Sequence, residues 1–395
     1  MRNDFDPAAV SRLRTSQASR RRFLTGSVIG AATAFVGQPL LVACASGGNP
    51  TTTSSTLDDG SPATGLLRVS NWPLYIADVF VAEFQKASGL TVNYMENYND
   101  DEEWFAKNKD PLANKRDIGC DLVVPSAVIA ARLHGLSWLN EIQESRWPNK
   151  KNLQTALLNA SMDPGRKVTA PYMAGMVGLA YNRTATGRDV TKVDDLWDAA
   201  FRGKVSMLSD TQDGLGMVML SQGNSPENPT TESVQKAIDL ITEQKDKGQI
   251  RRFTGNDYAD DLVAGNIAVA QAYSGDIVQL QADNPDLKFV VPEAGSTMGV
   301  QSMVIPYTTQ NQKAAEAWID YVYDRDNYAK LVAYTRYIPV LSDMTDALNK
   351  VDPTAASNPL INPPKEILDR VKQWPSLSDE QVKEFNTAYV AVTAG

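Results

Sequence analysis

Chemistry that needs an imidazole has one residue to draw on. His134 is the single histidine in 395 residues, so a Ser/His/Asp triad, a Cys/His dyad or a histidine-based metal site would depend on it alone. It stands in Arg132-Leu133-His134-Gly135, a predicted helix end, where an imidazole ordinarily meets the last carbonyls. No Gly-x-Gly-x-x-Gly, Walker loop or Gly-x-Ser-x-Gly string falls where a strand meets a helix, which disfavours phosphoryl-transfer and dinucleotide enzymes. No cofactor, metal or catalytic residue is expected. Two carboxylates about 5 to 10 Å apart would suffice for a glycosidase-like hydrolase and need not be sequence neighbours, so that class stays open as an alternative.

The thiols point elsewhere. Asp4 and Asp6 are the only acids before Ser19-Arg20-Arg21-Arg22-Phe23-Leu24, and an apolar stretch from Val28 to Val42 follows. That pattern predicts a twin-arginine export signal over residues 1–43, with Arg20 and Arg21 as its mark. Thr33, Gly37, Gln38 and Pro39 interrupt the apolar run, which is too short and broken for a spanning helix of roughly 20 apolar residues. Leu41-Val42-Ala43-Cys44 resembles a lipobox, in which small residues fit the peptidase and the cysteine takes a diacylglycerol; the alternative is ordinary cleavage near Ala43 or Ala45. With Cys44 acylated, two chains give stable anchoring where one gives marginal binding. Residues 44–65 then read as a flexible tether, because Gly47 to Thr56 is polar, small and without periodicity. The expected location is the extracytoplasmic face of a membrane, held by lipid alone. Only Cys120 remains beyond Cys44, so no disulfide within the exported chain is possible and the core must supply stability.

Stepping past residue 65 leaves about 330 residues, more than one core usually holds, which favours two lobes. Residues 1–43 hold six arginines and two aspartates, so the remainder carries −13 where the whole chain carries −9. So acidic a domain attracts cations and is not expected to bind nucleic acid. Strands are predicted at 66–70, 90–94, 120–124, 169–172, 178–181 and 204–208; helices at 76–86, 128–136, around 216–220, 233–246 and 311–328. Alternation of this kind predicts a parallel α/β sheet, and the near-continuous apolar run Cys120 to Val124 suits a strand covered on both faces.

Several strings in this order resemble one family. They are Asn71-Trp72-Pro73-Leu74-Tyr75, Asp121 to Ser126, Ala170-Pro171-Tyr172, Asp195-Leu196-Trp197, Ala272-Tyr273-Ser274-Gly275-Asp276, Ser302-Met303-Val304-Ile305-Pro306 and Tyr337-Ile338-Pro339. The chain from Leu66 onward is similar to the spermidine/putrescine-binding proteins of ABC importers. That resemblance implies a two-lobed periplasmic-binding-protein-like α/β fold, closing on a ligand in the cleft between its lobes. It implies lobe 1 over 66–176 with 300–345 returning to it, and lobe 2 over 177–299 with 346–395. It also implies a monomer, with a small cationic ligand and ABC permease subunits as partners.

By the same resemblance Trp72, Tyr75, Ser126, Thr211, Asp213, Tyr273, Asp276, Gln301 and Tyr337 are the ligand-binding candidates. Ring faces attract ammonium groups by about 0.5 to 2 kcal/mol each, and carboxylates separate an ammonium from an isosteric alcohol. Here the chain departs from the family. Leu74 and Gln301 stand at acidic positions, Thr211 at another, Gly299 and Val128 at aromatic ones, and Asp213 falls one place short of its counterpart. The acidic run Asp100 to Glu103 is expected to be a solvated helix start. Two ligands follow: a polyamine such as putrescine or spermidine, held by Asp213, Asp276 and the rings, or a less cationic organic solute.

Overall fold

The computed structural model describes residues 59–395 except Ser161, Ser376 and Gly395. Arg20, Arg21, Cys44 and most of the tether expected at 44–65 lie outside the described residues, among which no helix is long and apolar enough to cross a membrane.

The chain opens with β1 (Leu66–Asn71), α1 (Asp78–Ser88) and β2 (Thr91–Glu96). Leu67 and Val69 of β1 are fully buried, and α1 stops at Gly89, whose φ of 73° is a left-handed turn that costs glycine little. Next come α2 (Asp101–Ala113), β3 (Leu122–Val123) and α3 (Ala127–Gly135). The run expected as a five-residue strand narrows to two, although Asp121 and Val124 still donate backbone hydrogen bonds to Arg68 and Ser70 of β1.

Strand β4 (Thr169–Asn182) is one 14-residue element, buried throughout, where two short strands are expected. The glycines between them act as packing sites. A Cβ on Gly178 would come within 2.2 Å of the Phe289 ring and 2.7 Å of the Val290 carbonyl.

Further main elements are β5 (Val205–Leu208), α4 (Thr211–Ser221), α5 (Thr231–Asp246), β6 (Ile250–Thr254), α6 (Tyr258–Val263), β7 (Val269–Tyr273), α7 (Ser274–Leu280), β8 (Leu287–Val290) and β9 (Ser296–Val304). They are followed by α8 (Gln312–Val322), α9 (Arg325–Thr335), β10 (Val371–Lys372) and α10 (Asp379–Thr393). The single helix expected over 311–328 is α8 and the start of α9. Asp324 interrupts it, its carboxylate accepting the backbone N–H groups of Asp326 and Asn327 and so starting a second helix.

The strand order is β2-β1-β3-β9-β4-β7-β5-β6, with β8 beside β4 and β10 beside β9. The sheet is mixed, not parallel throughout. β1 runs parallel to β2 and β3, and β5 parallel to β6 and β7, whereas β4 runs antiparallel to both β9 and β7. Strand β4 changes partner midway: Thr169 to Met176 pair with β9, and Val177 to Tyr181 pair with β7. This gives a two-lobed α/β fold with one strand common to both sheets. Helix α10 packs on α4 and α5, burying Phe385 and Tyr389, and the Tyr389 hydroxyl donates to Leu208 O at 2.7 Å.

Candidate ligand-binding site

The parallel strands β1, β2 and β3, and likewise β5, β6 and β7, end at one crevice. Trp72 and Tyr75 follow β1, Asn99 and Asp100 follow β2, and Ser126 follows β3; Asp210 and Asp213 follow β5, Gly255 and Asn256 follow β6, and Tyr273 ends β7. Gln301 of β9 and Tyr337, after α9, complete the lining with Asp101 and Thr254. A crevice at the carboxyl ends of strands is where α/β sheets place ligands, because loops there are free to vary while the strands hold them.

Each aromatic is fixed from behind. The Trp72 indole N–H donates to Val124 O at 2.8 Å, and its ring lies 4.4 Å from that of Tyr98. Tyr75 and Tyr337 meet edge-on at 4.7 Å, and the Tyr75 hydroxyl reaches Gln301 Oε1 at 3.4 Å. The Tyr273 hydroxyl donates to Asp213 Oδ2 at 2.8 Å.

The carboxylates come from both halves. Asp100 is the N-cap of α2 and accepts the Glu103 N–H, and its other oxygen accepts from Ser209 Oγ at 2.7 Å. Asp101 accepts from the Tyr98 hydroxyl at 2.5 Å and the Ser126 N–H at 3.5 Å. From the other half, Asp210 caps α4 by accepting the Asp213 N–H at 3.0 Å. Four carboxylates therefore share the crevice with no lysine, arginine or histidine among its lining residues. Burial pushes Asp101 up to about 7, against the hydrogen bonds of Ser126 and Tyr98 that favour its anion. Burial likewise lifts Asp213 to about 6, and Asp210 rises well above the usual carboxylate range through burial and the charges of Asp213 and Asp101. A cation entering such a cluster favours its ionised forms.

Seven of the nine sequence candidates line the crevice: Trp72, Tyr75, Ser126, Asp213, Tyr273, Gln301 and Tyr337. Asp276 stands behind the wall. It is buried and accepts hydrogen bonds from Tyr258 at 2.6 Å, Asn256 at 2.8 Å and Tyr337 at 2.7 Å, so it props the aromatic lining. Thr211 faces a neighbouring cavity. Ser126 is also the N-cap of α3, its Oγ accepting the Ile129 N–H at 3.4 Å.

The expectation that Asp100 to Glu103 is a solvated helix start is corrected for its first two members, because Asp101 is 5% exposed and both line the crevice. Asn99, Thr254, Gly255 and Asn256 are lining residues that no motif marked. Position was the available signal, since each ends or follows a parallel strand. The Asn256 carbonyl oxygen is buried without a hydrogen-bond partner among the described residues, an acceptor suited to a donor from a ligand.

Comparison with known proteins agrees with this geometry. The bacterial extracellular solute-binding protein family matches residues 80–363. The chain is 25% identical over 324 residues to spermidine/putrescine-binding periplasmic protein 1 of Haemophilus influenzae, covering 82% of this chain and 87% of that one. It is 26% identical over 361 residues to the putrescine-binding periplasmic protein SpuD of Pseudomonas aeruginosa, covering 84% and 92%. Among solved structures it is similar to the TpPotD lipoprotein of Treponema pallidum, with a TM-score of 0.70 at 21% identity over 84% of this chain and 100% of that one. The PotD substrate-binding protein of Streptococcus pneumoniae gives a TM-score of 0.68 at 21% identity, covering 84% and 99%. The family match spans well over half the sequence, so the chain belongs to the bacterial extracellular solute-binding proteins, and it shares their fold over most of its length.

Proposed function

We propose that this protein is the extracytoplasmic solute-binding component of an ABC importer, capturing a polyamine of the putrescine or spermidine type and passing it to permease subunits. One observation carries the reading: carboxylates from both halves meet at an aromatic crevice with no basic side chain among its lining residues. Ammonium groups offset the buried negative charge, and the methylenes between them lie on the faces of Trp72, Tyr75 and Tyr273. The neutral Leu74 and Gln301 are compensated by Asp100, Asp101 and Asp210. The names of the relatives support the same ligand class. In this role no bond of the ligand is broken, and the lobes are 66–176 with 300–345, and 177–299 with 346–395.

Calorimetric titration of protein stripped of ligand by unfolding and refolding tests the proposal. Putrescine or spermidine is expected to bind with micromolar or better affinity and to be recovered chemically unchanged. No heat at millimolar amine rejects the polyamine, and conversion of the amine that disappears in Asp101→Asn points instead to a hydrolase. Lipid anchoring at Cys44 is part of the proposal, and its check is whether Cys44→Ala moves the protein from the membrane fraction to the soluble one.

A further inference from the structure

Asn256, just past β6, lines the crevice with a side chain whose two arms meet different surroundings. Its amide nitrogen donates to Asp276 Oδ2 behind the wall at 2.8 Å, while its amide oxygen is buried with no hydrogen-bond partner among the described residues. The neighbours decide which arm is which. The Tyr258 hydroxyl oxygen accepts the Tyr273 N–H at 3.0 Å, so its own proton goes to Asp276 Oδ2 at 2.6 Å. A carboxylate oxygen only accepts, so the arm of Asn256 beside it must be the NH2. Asp276 in turn is held in place. Its other oxygen accepts the Tyr337 hydroxyl at 2.7 Å, and the Tyr337 ring lies so close over Gly275 that a Cβ there would come within 2.0 Å of it. The planar amide is thus turned with its nitrogen to the wall and its oxygen to the crevice side.

Rings and carboxylates attract any cation, methylated or not, whereas a buried carbonyl oxygen is satisfied only by a hydrogen-bond donor. From this contrast we infer that Asn256 is a specificity-determining residue: its Oδ1 accepts an N–H of the ligand's ammonium, and so separates a primary ammonium from a fully methylated one. Asp276 is the positioning residue that aims this oxygen, without touching the ligand. The inference rests on the polyamine-type reading of the crevice and adds to it the group that recognises the N–H bonds.

The test measures by calorimetry the affinities of 1,4-diaminobutane and of its hexamethyl derivative, quaternary at both ends, and reads their ratio. Wild-type protein is expected to favour the diamine at least tenfold, since a quaternary end leaves the Asn256 oxygen unpaired. Asn256→Leu keeps the bulk of the side chain but not its acceptor, and is expected to weaken the diamine about tenfold or more and the hexamethyl compound less than about twofold. A merely structural role would weaken both alike. Asp276→Asn frees the amide to turn its NH2 to the crevice, so the ratio should fall there too, and in the double variant it should fall no further than in Asn256→Leu alone. A wild-type ratio near one overturns the inference by itself and needs no variant to fold. Equal loss of both ligands in Asn256→Leu also overturns it, and a ratio unmoved by Asp276→Asn overturns the positioning role. If neither compound binds, the inference and the polyamine reading fail together.

Discussion

Asp101 and Asp213 are held as acids that ionise late, near 7 and 6, because the fold buries them. An unfolded aspartate titrates near 3.9. Between those values the ligand-free fold holds more protons than the unfolded chain, so its stability falls as pH rises from about 4 to about 7. A thermal melt of stripped protein should accordingly give a higher midpoint at pH 5 than at pH 8. An ammonium ligand favours the ionised forms, so its affinity should run the opposite way, weakening more than tenfold from pH 8 to pH 5. Calorimetry in buffers of different ionisation enthalpy would count the protons released on binding. Asp213 and Asp276 separate two kinds of acid. Asp213→Asn is expected to cost tenfold to hundredfold in polyamine affinity, the worth of about 1.5 to 3 kcal/mol for a hydrogen bond to a charged group. Asp276→Asn, which disturbs three donors, two of them buried, is expected to lower stability by about 1 to 3 kcal/mol in a denaturant titration. Most of the aromatic lining was legible because Trp72, Tyr75 and Tyr273 sit in strings with local character. Asp101 and Asp210 were not, since a helix-start acid is dry only when another part of the chain covers it.

At the scale of elements, local signals carried as far as local physics does. Helix α1 and its stop at Gly89 followed from apolar spacing and one glycine. The merging of 169–172 and 178–181 into β4 did not, because Gly178 is demanded by Phe289, more than a hundred residues away. The break between α8 and α9 is a local device that apolar periodicity hides, since buried residues such as Trp318, Val322 and Leu331 occupy both sides of it. Asp324→Ala removes the side-chain acceptor for two N–H groups, and is expected to cost about 1 kcal/mol. The same substitution should leave amine affinity unchanged, since α9 enters the crevice only through Tyr337 beyond its end. Alternation of strand and helix announced an α/β sheet, yet the antiparallel courses of β4 and β9 depend on where the chain crosses between halves, which periodicity does not encode.

For the whole molecule, closure leaves a mark at Gly255. A Cβ built there would stand 2.2 Å from the backbone oxygen of Asn99 in the other half, closer than real contacts allow. Gly255→Ala should therefore hold the halves slightly apart, weakening amine binding at least tenfold with little change in the ligand-free melt. Small-angle scattering would read the effect as loss of the ligand-induced decrease in radius of gyration expected of the wild-type protein. A different consequence follows from β4 belonging to both sheets. Its partner β9 ends at Val304, so the first-half sheet cannot be completed until more than three hundred residues have left the ribosome. Neither half is then a self-sufficient folding unit during synthesis, and the nascent chain must be shielded from aggregation until nearly all of it is available. Completion of both sheets only after nearly all of the chain has been made is what this strand arrangement imposes.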